Sequence, residues 1–239
     1  MSSHDYFRYR DRSPQDSRTG DSDVTEPRTI GLLFTGGEGP ERAALEAVID
    51  RNPFVVAADS GIDLARRIGV GPNLLVGDMD SISDRNILGE YPERSVMIFP
   101  EEKDETDTEI GLRLLFEHGC EEVVIAGGGG GRLDHLVGML ALFERVPAPS
   151  AWYTRSEEIV LITGSVRVHG TPGERVSFFP VGNETVTMSS SGLRWPLDTL
   201  VWRHGDAGIS NIAFEGSFYV RMRSGRLLMI RDLDHGAHR

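Results

Sequence analysis

Residues 123–143 read Val-Val-Ile-Ala-Gly-Gly-Gly-Gly-Gly-Arg-Leu-Asp-His-Leu-Val-Gly-Met-Leu-Ala-Leu-Phe. A short apolar run, Val123 to Ala126, predicts a strand. The stretch from Leu133 to Phe143 carries apolar residues at helical spacing. Between them lie Gly127 to Gly131. Isolated, such a run would be a flexible linker. Between a strand and a helix it is a tight turn whose amides can approach an anion near a helix N-terminus.

The same strand–turn–helix alternation recurs upstream. Ile30 to Phe34 precedes Gly36, Gly37 and Gly39, and Pro40 opens a helical stripe of Ala43, Ala44, Leu45, Val48 and Ile49. Pro in the first turn after a glycine loop is a good helix start. Strands are predicted at Phe54–Ala58, Leu74–Val76 and Val96–Phe99, and helices at Ile62–Ile68 and Thr108–His118. Nearly continuous apolar strands alternating with helices indicate a parallel sheet covered on both faces. After Pro147 to Ser150 the helical stripes stop. Short runs at 159–162, 166–168, 176–179, 186–188, 218–222 and 227–230 are separated by Gly164, Gly170, Gly173, Gly182-Asn183 and Ser224-Gly225. Closely spaced strands without helices predict an antiparallel sandwich or small barrel. The expected layout is a polar, disordered tail over 1–27, a Rossmann-like α/β domain with a mostly parallel sheet over 28–150, and an all-β domain over 151–239.

Composition narrows the function classes. The 239 residues have a net charge of −12, 39% hydrophobic and 26% charged side chains, values of an ordinary globular protein. Nucleic acid rewards Lys and Arg, so it is not an expected partner. No apolar run approaches the roughly 20 residues that cross a bilayer, so no membrane is expected either. A single cysteine, Cys120, needs no oxidising compartment, and Met1 to Pro27 lack the apolar core of a secretory signal. The cytoplasm is the expected location. Most of the charge imbalance lies in 28–150, where 22 acidic residues face 11 basic ones. A solvated acidic surface accounts for many of them. Several converging on a metal ion would account for the rest.

Ligands of open parallel sheets bind at the carboxyl ends of the strands. Here those ends carry Asp59-Ser60-Gly61, Gly77-Asp78-Met79-Asp80-Ser81, Lys103-Asp104-Glu105-Thr106-Asp107, and Gly130-Gly131-Arg132-Leu133-Asp134-His135. One Asp after a strand is ordinarily a helix cap or a turn residue. Four such sites on one rim point to a shared ligand. Asp78 and Asp80, two apart in an extended segment, project to one side, and carboxylates with retained waters suit Mg²⁺ completed by phosphates. No Cys cluster or His pair offers a zinc site. Arg132 suits phosphate oxygens. Lys103 is the chain's single lysine, either a solvated surface group or a compact charge that binds phosphate or tunes Asp104 and Asp107. Neither a Walker loop nor a full dinucleotide fingerprint is present, since Gly37-Glu38-Gly39 lacks the third glycine.

These motifs, in this order and followed by a β domain, resemble the thiamine pyrophosphokinase family over residues 30 to 232. The resemblance rests on Gly-Asp-Met-Asp-Ser at 77–81, Lys-Asp-Glu-Thr-Asp at 103–107 and Gly-Gly-Arg-Leu-Asp-His at 130–135. It adds Gly192-Leu193-Arg194-Trp195 and Ser210-Asn211 in the β domain. The resemblance implies transfer of a pyrophosphoryl group from ATP to the hydroxyl of thiamine, releasing AMP. It implies that Asp78, Asp80 and Asp107 hold Mg²⁺ and that Asp59, Asp104 and Asp134 complete the acidic rim. Ser81, Lys103, Thr106, Gly130, Gly131, Arg132 and His135 would lie on the ATP side. Asp134 or Asp80 would accept the hydroxyl proton. Trp195, Ser210 and Asn211 would contact thiamine from the second subunit of a homodimer, although Trp195 reads equally well as a core side chain.

The first motif departs from the family pattern. Asp-Gly-Gly followed by Ala-Asn is common there, whereas this chain has Asp59-Ser60-Gly61-Ile62-Asp63. That leaves open a pterin-alcohol pyrophosphokinase, a divalent-metal phosphohydrolase, or a nucleotide-binding module without turnover.

Overall fold

The computed structural model describes residues 29–233; the expectation for the tail at 1–27 lies outside the described residues. Six strands form the parallel part: β1 (Ile30–Phe34), β2 (Phe54–Ala58), β3 (Leu74–Gly77), β4 (Val96–Ile98), β5 (Glu122–Ala126) and β6 (Ala151–Tyr153). Their order is β6-β5-β1-β2-β3-β4, with every neighbouring pair parallel. The connecting helices are α1 (Arg42–Ile49), α2 (Gly61–Ile68), α3 (Asp107–Glu117) and α4 (Leu133–Ala141).

Alternate side chains of β1 explain why helices cover both faces. Leu32 and Phe34 pack with Leu45 and Val48 of α1 and Ile62 and Ala65 of α2. Leu33 points the other way, joining Ile110 and Leu115 of α3 and Met139 of α4. All three β1 side chains are fully buried, as a strand covered on both faces requires. The chain fills one side of β1 as far as β4, then returns to place β5 on the other side. β1 leads to β2 on one side and β5 to β6 on the other, so the strand order reverses between β1 and β5, and ligands of such sheets bind at the carboxyl ends there.

The sheet does not end at the expected boundary. β6, immediately after Ser150, pairs parallel with β5. A short turn at 154–156, closed by Thr154 N–H donating to the Glu157 carbonyl, then reverses the chain into β7 (Glu157–Ile162), antiparallel to β6. β13 (Arg226–Asp232), β9 (Arg175–Val181) and β11 (Gly208–Ile212) continue outward, making one sheet of ten strands. A second sheet has the order β10 (Thr187–Ser191), β12 (Ser217–Ser224), β8 (Ser165–His169). Its inward residues Val166, Val168, Phe218 and Val220 share one core with Val176, Phe178, Leu227 and Met229 of the large sheet. Phe178 and Phe218 meet edge to face, centroids 6.3 Å apart.

Trp152, Glu158 and Arg231 occupy the junction of the parallel and antiparallel strands. Trp152 Nε1 donates to the Gly127 carbonyl at 2.6 Å, tying β6 to the glycine loop. Arg231 donates through Nε to Glu158 at 2.6 Å and through Nη1 to the His169 carbonyl at 2.9 Å. Tyr153 donates its hydroxyl to Glu158 at 2.7 Å.

Candidate active site

The carboxyl ends of β1, β2, β3 and β5, with the N-termini of α3 and α4, enclose a cavity of about 1040 Å³. Asp59, Asp78, Ser81, Lys103, Asp104, Thr106, Asp107, Gly130, Gly131, Arg132, Asp134 and His135 line it. The rim predicted from the sequence is therefore assembled. Asp80 is not among the lining residues.

Local backbone geometry explains how three carboxylates meet. Asp59 follows β2 with a positive φ of 48° and its N–H donates to the Val76 carbonyl at 2.8 Å. Gly77, at φ 139°, ends β3. A Cβ there would lie 3.1 Å from the Asp107 carboxylate and 3.2 Å from Asp59 Cβ, so glycine leaves the space in which the acids converge. Asp107 opens α3, whose N-cap Thr106 forms a capping box with Glu109. The result is that one oxygen each from Asp59, Asp78 and Asp107 lies within 4.8 Å of the others.

The loop carrying Asp78 is braced by α2 and its cap. Ser81 donates its hydroxyl to Asp59. Ser83 donates its hydroxyl to Asp63 at 2.7 Å and its N–H to the same carboxylate at 3.2 Å. Asp63, one of the departures from the family pattern, thus anchors the acidic loop to α2.

Charge in this trio is only partly offset. The Lys103 ammonium lies 3.3 Å from Asp107 and 3.7 Å from Asp78 and donates to the Pro100 carbonyl at 2.9 Å. Burial pushes the Asp107 carboxyl above the usual range, and Asp78 and Asp59 add to that against the pull of Lys103. Asp78 is held below the usual range, chiefly by the Asp80 N–H, which donates to it at 3.1 Å. Asp80, fully exposed, is raised by the charge of Asp78. Asp59 Oδ1 and Asp107 Oδ1 are buried and accept no hydrogen bond. Three carboxylates with oxygens this close, two of them keeping a buried oxygen free of hydrogen bonds, fit a hard divalent cation such as Mg²⁺. The residues that fit it are Asp59, Asp78 and Asp107; Asp80 stands beside this set.

The two glycine loops interlock. Glu38 and Gly129 exchange backbone hydrogen bonds at 2.7 and 2.9 Å, and Gly128 N–H donates to the Gly36 carbonyl at 2.7 Å. A Cβ on Gly127 would stand 2.1 Å from the Thr35 carbonyl oxygen. The first part of the glycine run is thus spent on protein packing. Gly130, Gly131 and Arg132 continue the loop along the cavity wall. Arg132 is bound to Asp134, with Nε donating at 3.1 Å, and that bond holds the Asp134 carboxyl below the usual range.

The sequence motifs did not disclose Glu109 and Arg145, which line the same cavity and form an ion pair. The spacing Thr106-x-x-Glu109 was a readable capping signal. Nothing in the local sequence of Arg145 reveals its place.

Trp195, Ser210 and Asn211 do not line this cavity. Trp195 is 53% exposed on the antiparallel part, with the Arg194 guanidinium 5.0 Å from its ring centroid. It is therefore a surface side chain, not a core one. Ser210 is exposed, and Asn211 is buried.

Two family models match the chain: the thiamin pyrophosphokinase catalytic domain over residues 45–151 and the thiamin pyrophosphokinase vitamin B1 binding domain over residues 165–227. The chain belongs to the thiamin pyrophosphokinase family. Thiamine pyrophosphokinase of Bacillus subtilis is 25% identical over 216 residues, covering 87% of this chain and all of that protein. Thiamine pyrophosphokinase 1 of Arabidopsis thaliana is 25% identical over 182 residues, 70% of this chain and 68% of the plant protein. The crystal structure of the Bacillus subtilis enzyme shares the fold at a TM-score of 0.69 and 22% identity, covering 87% of this chain and all of that one. The family models divide around the β6–β7 hairpin, where the sheet changes from parallel to antiparallel.

Proposed function

We propose that this protein is a thiamine diphosphokinase, transferring the pyrophosphoryl group of ATP to the hydroxyl of thiamine to give thiamine diphosphate and AMP. The observation that carries the reading is the convergence of Asp59, Asp78 and Asp107, with two buried oxygens that accept no hydrogen bond, in one cavity with Gly130, Gly131 and Arg132. Such a transfer needs positioning and charge neutralisation more than covalent chemistry.

In this reading residues 28–150 form the Rossmann-like ATP and Mg²⁺ domain. Asp59, Asp78 and Asp107 hold Mg²⁺, and Asp80 flanks them. The metal, when bound, neutralises charge on the ATP phosphates. Gly130 and Gly131 amides and the Arg132 guanidinium hold phosphate oxygens at the N-terminus of α4, with Lys103, Thr106, Ser81, Asp104 and His135 around them. Asp80 or Asp134 accepts the thiamine hydroxyl proton.

Residues 151–239 form the sandwich-type thiamine-binding domain, with Trp195 and Ser210 at its exposed end. Trp195 is suited to stack on a flat cationic ring. Because these residues are remote from the cavity lining of their own chain, the acceptor end of the site is completed by a second copy in a homodimer. Exposed apolar side chains support this: Leu133 and Val137 on α4 beside Arg132, and Trp195, Ile209 and Phe214 on the β part. The site is cytoplasmic in this reading.

The test is AMP formation from Mg²⁺ and ATP, with and without thiamine. Thiamine-dependent AMP in step with thiamine diphosphate is expected. AMP formed only with a pterin alcohol would move the acceptor. Inorganic phosphate without AMP would make the protein a phosphohydrolase, and ATP binding without turnover a silent module.

A further inference from the structure

Building on that reading, we infer that Asn211 is a positioning residue that sets Trp195 from beneath rather than a group that touches thiamine. Every polar atom of its side chain is spent on backbone. Asn211 Oδ1 accepts the Trp195 N–H at 3.2 Å and the Ile212 N–H at 2.8 Å, and Nδ2 donates to the Trp195 carbonyl at 2.7 Å. The residue is 6% exposed, whereas Trp195 is 53% exposed. An amide that both accepts from and donates to one residue fixes the orientation of that peptide on each side of its Cα.

A bulge in β11 gives Asn211 this direction. Gly208 lies opposite Phe178 and Asn211 opposite Val176, so three steps on β11 span two on β9. Side chains alternate with period two, and one extra residue reverses the faces beyond it. Phe178 and Val176 both face the core, so Asn211 faces inward with Gly208. Ser210 takes up the extra residue at φ 61°, its N–H donating to Ser177 at 3.1 Å. The segment ahead of Trp195 is pinned as well. Gly192, at φ 78°, lies so close to β12 that a Cβ would stand 2.5 Å from the Ser217 carbonyl oxygen. Arg194 N–H donates to the Ile212 carbonyl at 2.8 Å. The indole is thus held in the 192–207 segment through bonds to its own residue's backbone, with the Arg194 guanidinium over its ring.

Asn211→Ala removes all three bonds, and Asn211→Asp keeps the two acceptances while losing the donation to Trp195. The expected result is a thiamine KM raised about 10-fold in the first and less in the second, with kcat and the ATP KM within about twofold. In a Trp195→Ala background, Asn211→Ala should add little, because both act through one side chain. A full additive effect in that background would mean that Asn211 contacts the substrate itself, and an equal fall in kcat would also overturn the assignment. Amide hydrogen exchange gives a readout independent of thiamine. Asn211→Ala should lose protection at Trp195 and Ile212, and unchanged protection there would refute the clamp. A wild-type protein that makes no AMP with thiamine, yet shows this loss of protection, would remove the substrate assignment and leave the clamp standing.

Discussion

Two groups of acidic side chains sit in this molecule in opposite electrostatic conditions. In the parallel part, Asp59, Asp78 and Asp107 converge, Lys103 pairs with the last two, and two buried oxygens of the trio accept no hydrogen bond. In the antiparallel part, Glu158 and Glu174 share Arg231, whose side chain is 6% exposed. There the guanidinium donates to Glu158 and to the His169 carbonyl and stands 3.7 Å from Glu174 Oε1, beyond hydrogen-bond distance, while Tyr153 and the Thr171 N–H serve the other two carboxylate oxygens. A lysine is a point charge that leaves carboxylate lone pairs available, and an arginine fork takes several up. The first cluster lines a cavity and is short of positive charge. The second is closed into the core. In the proposed function the first group is kept for a ligand, whereas the second is closed into the fold.

That contrast predicts opposite responses to substitution. Arg231→Ala strands two buried carboxylates, and breaking a buried pair from one side costs about 3–5 kcal/mol. Chemical denaturation should show that loss, with the remaining folded protein retaining activity. Stability within about 1 kcal/mol of wild type would make this cluster as loosely coupled as the first. In the rim, Asp78→Asn should cost about 100-fold in kcat, or about 2.7 kcal/mol of transition-state stabilisation, with little change in denaturation midpoint. Relief of the repulsion that Asp78 exerts on Asp80 and Asp107 offsets the loss of its pair with Lys103 and the weaker bond from the Asp80 N–H. A variant that turns over normally would show that these acids hold no metal.

The two clusters also differ in how far the sequence announced them. The rim acids follow apolar strands and sit in short motifs, so their neighbourhood was legible from local pattern and the rule about strand ends. The sequence alone left other features open. Spacing favoured Asp78 with Asp80, yet a positive φ at Met79, 62°, turns the chain between them and Asp59 joins the trio instead. β11 was not foreseen at all, because Gly208, Ser210 and Asn211 carry no alternating apolar signal and the strand is bulged. β6 lies just past the Pro-rich segment that suggested a boundary. It is three residues long, too short to show that it completes the parallel sheet. Arg231 and Glu158 pair across 73 positions, and no local pattern encodes such a contact.

The smallest expected effect tests the closed cluster by pH. Burial raises the Glu174 carboxyl above its ordinary value of 4.5, against the opposing pull of Arg231 and the Thr171 N–H, and Glu158 and Asp232 add to the rise. Between the ordinary value and the raised one, the folded chain holds a proton that the unfolded chain has released. Stability therefore falls as pH rises through that window and stays lower above it. Glu174→Gln removes the titration, and Glu158 still neutralises Arg231. The variant should melt about 1–3 °C above wild type at pH 7, an increment of a fraction of a kcal/mol, with the gap closing toward pH 4. A variant that melts below wild type at pH 7 would mean that attraction to Arg231 outweighs the cost of burying the charge. The second cluster would then be held together by its full charge, and its contrast with the rim would rest on the arginine fork alone.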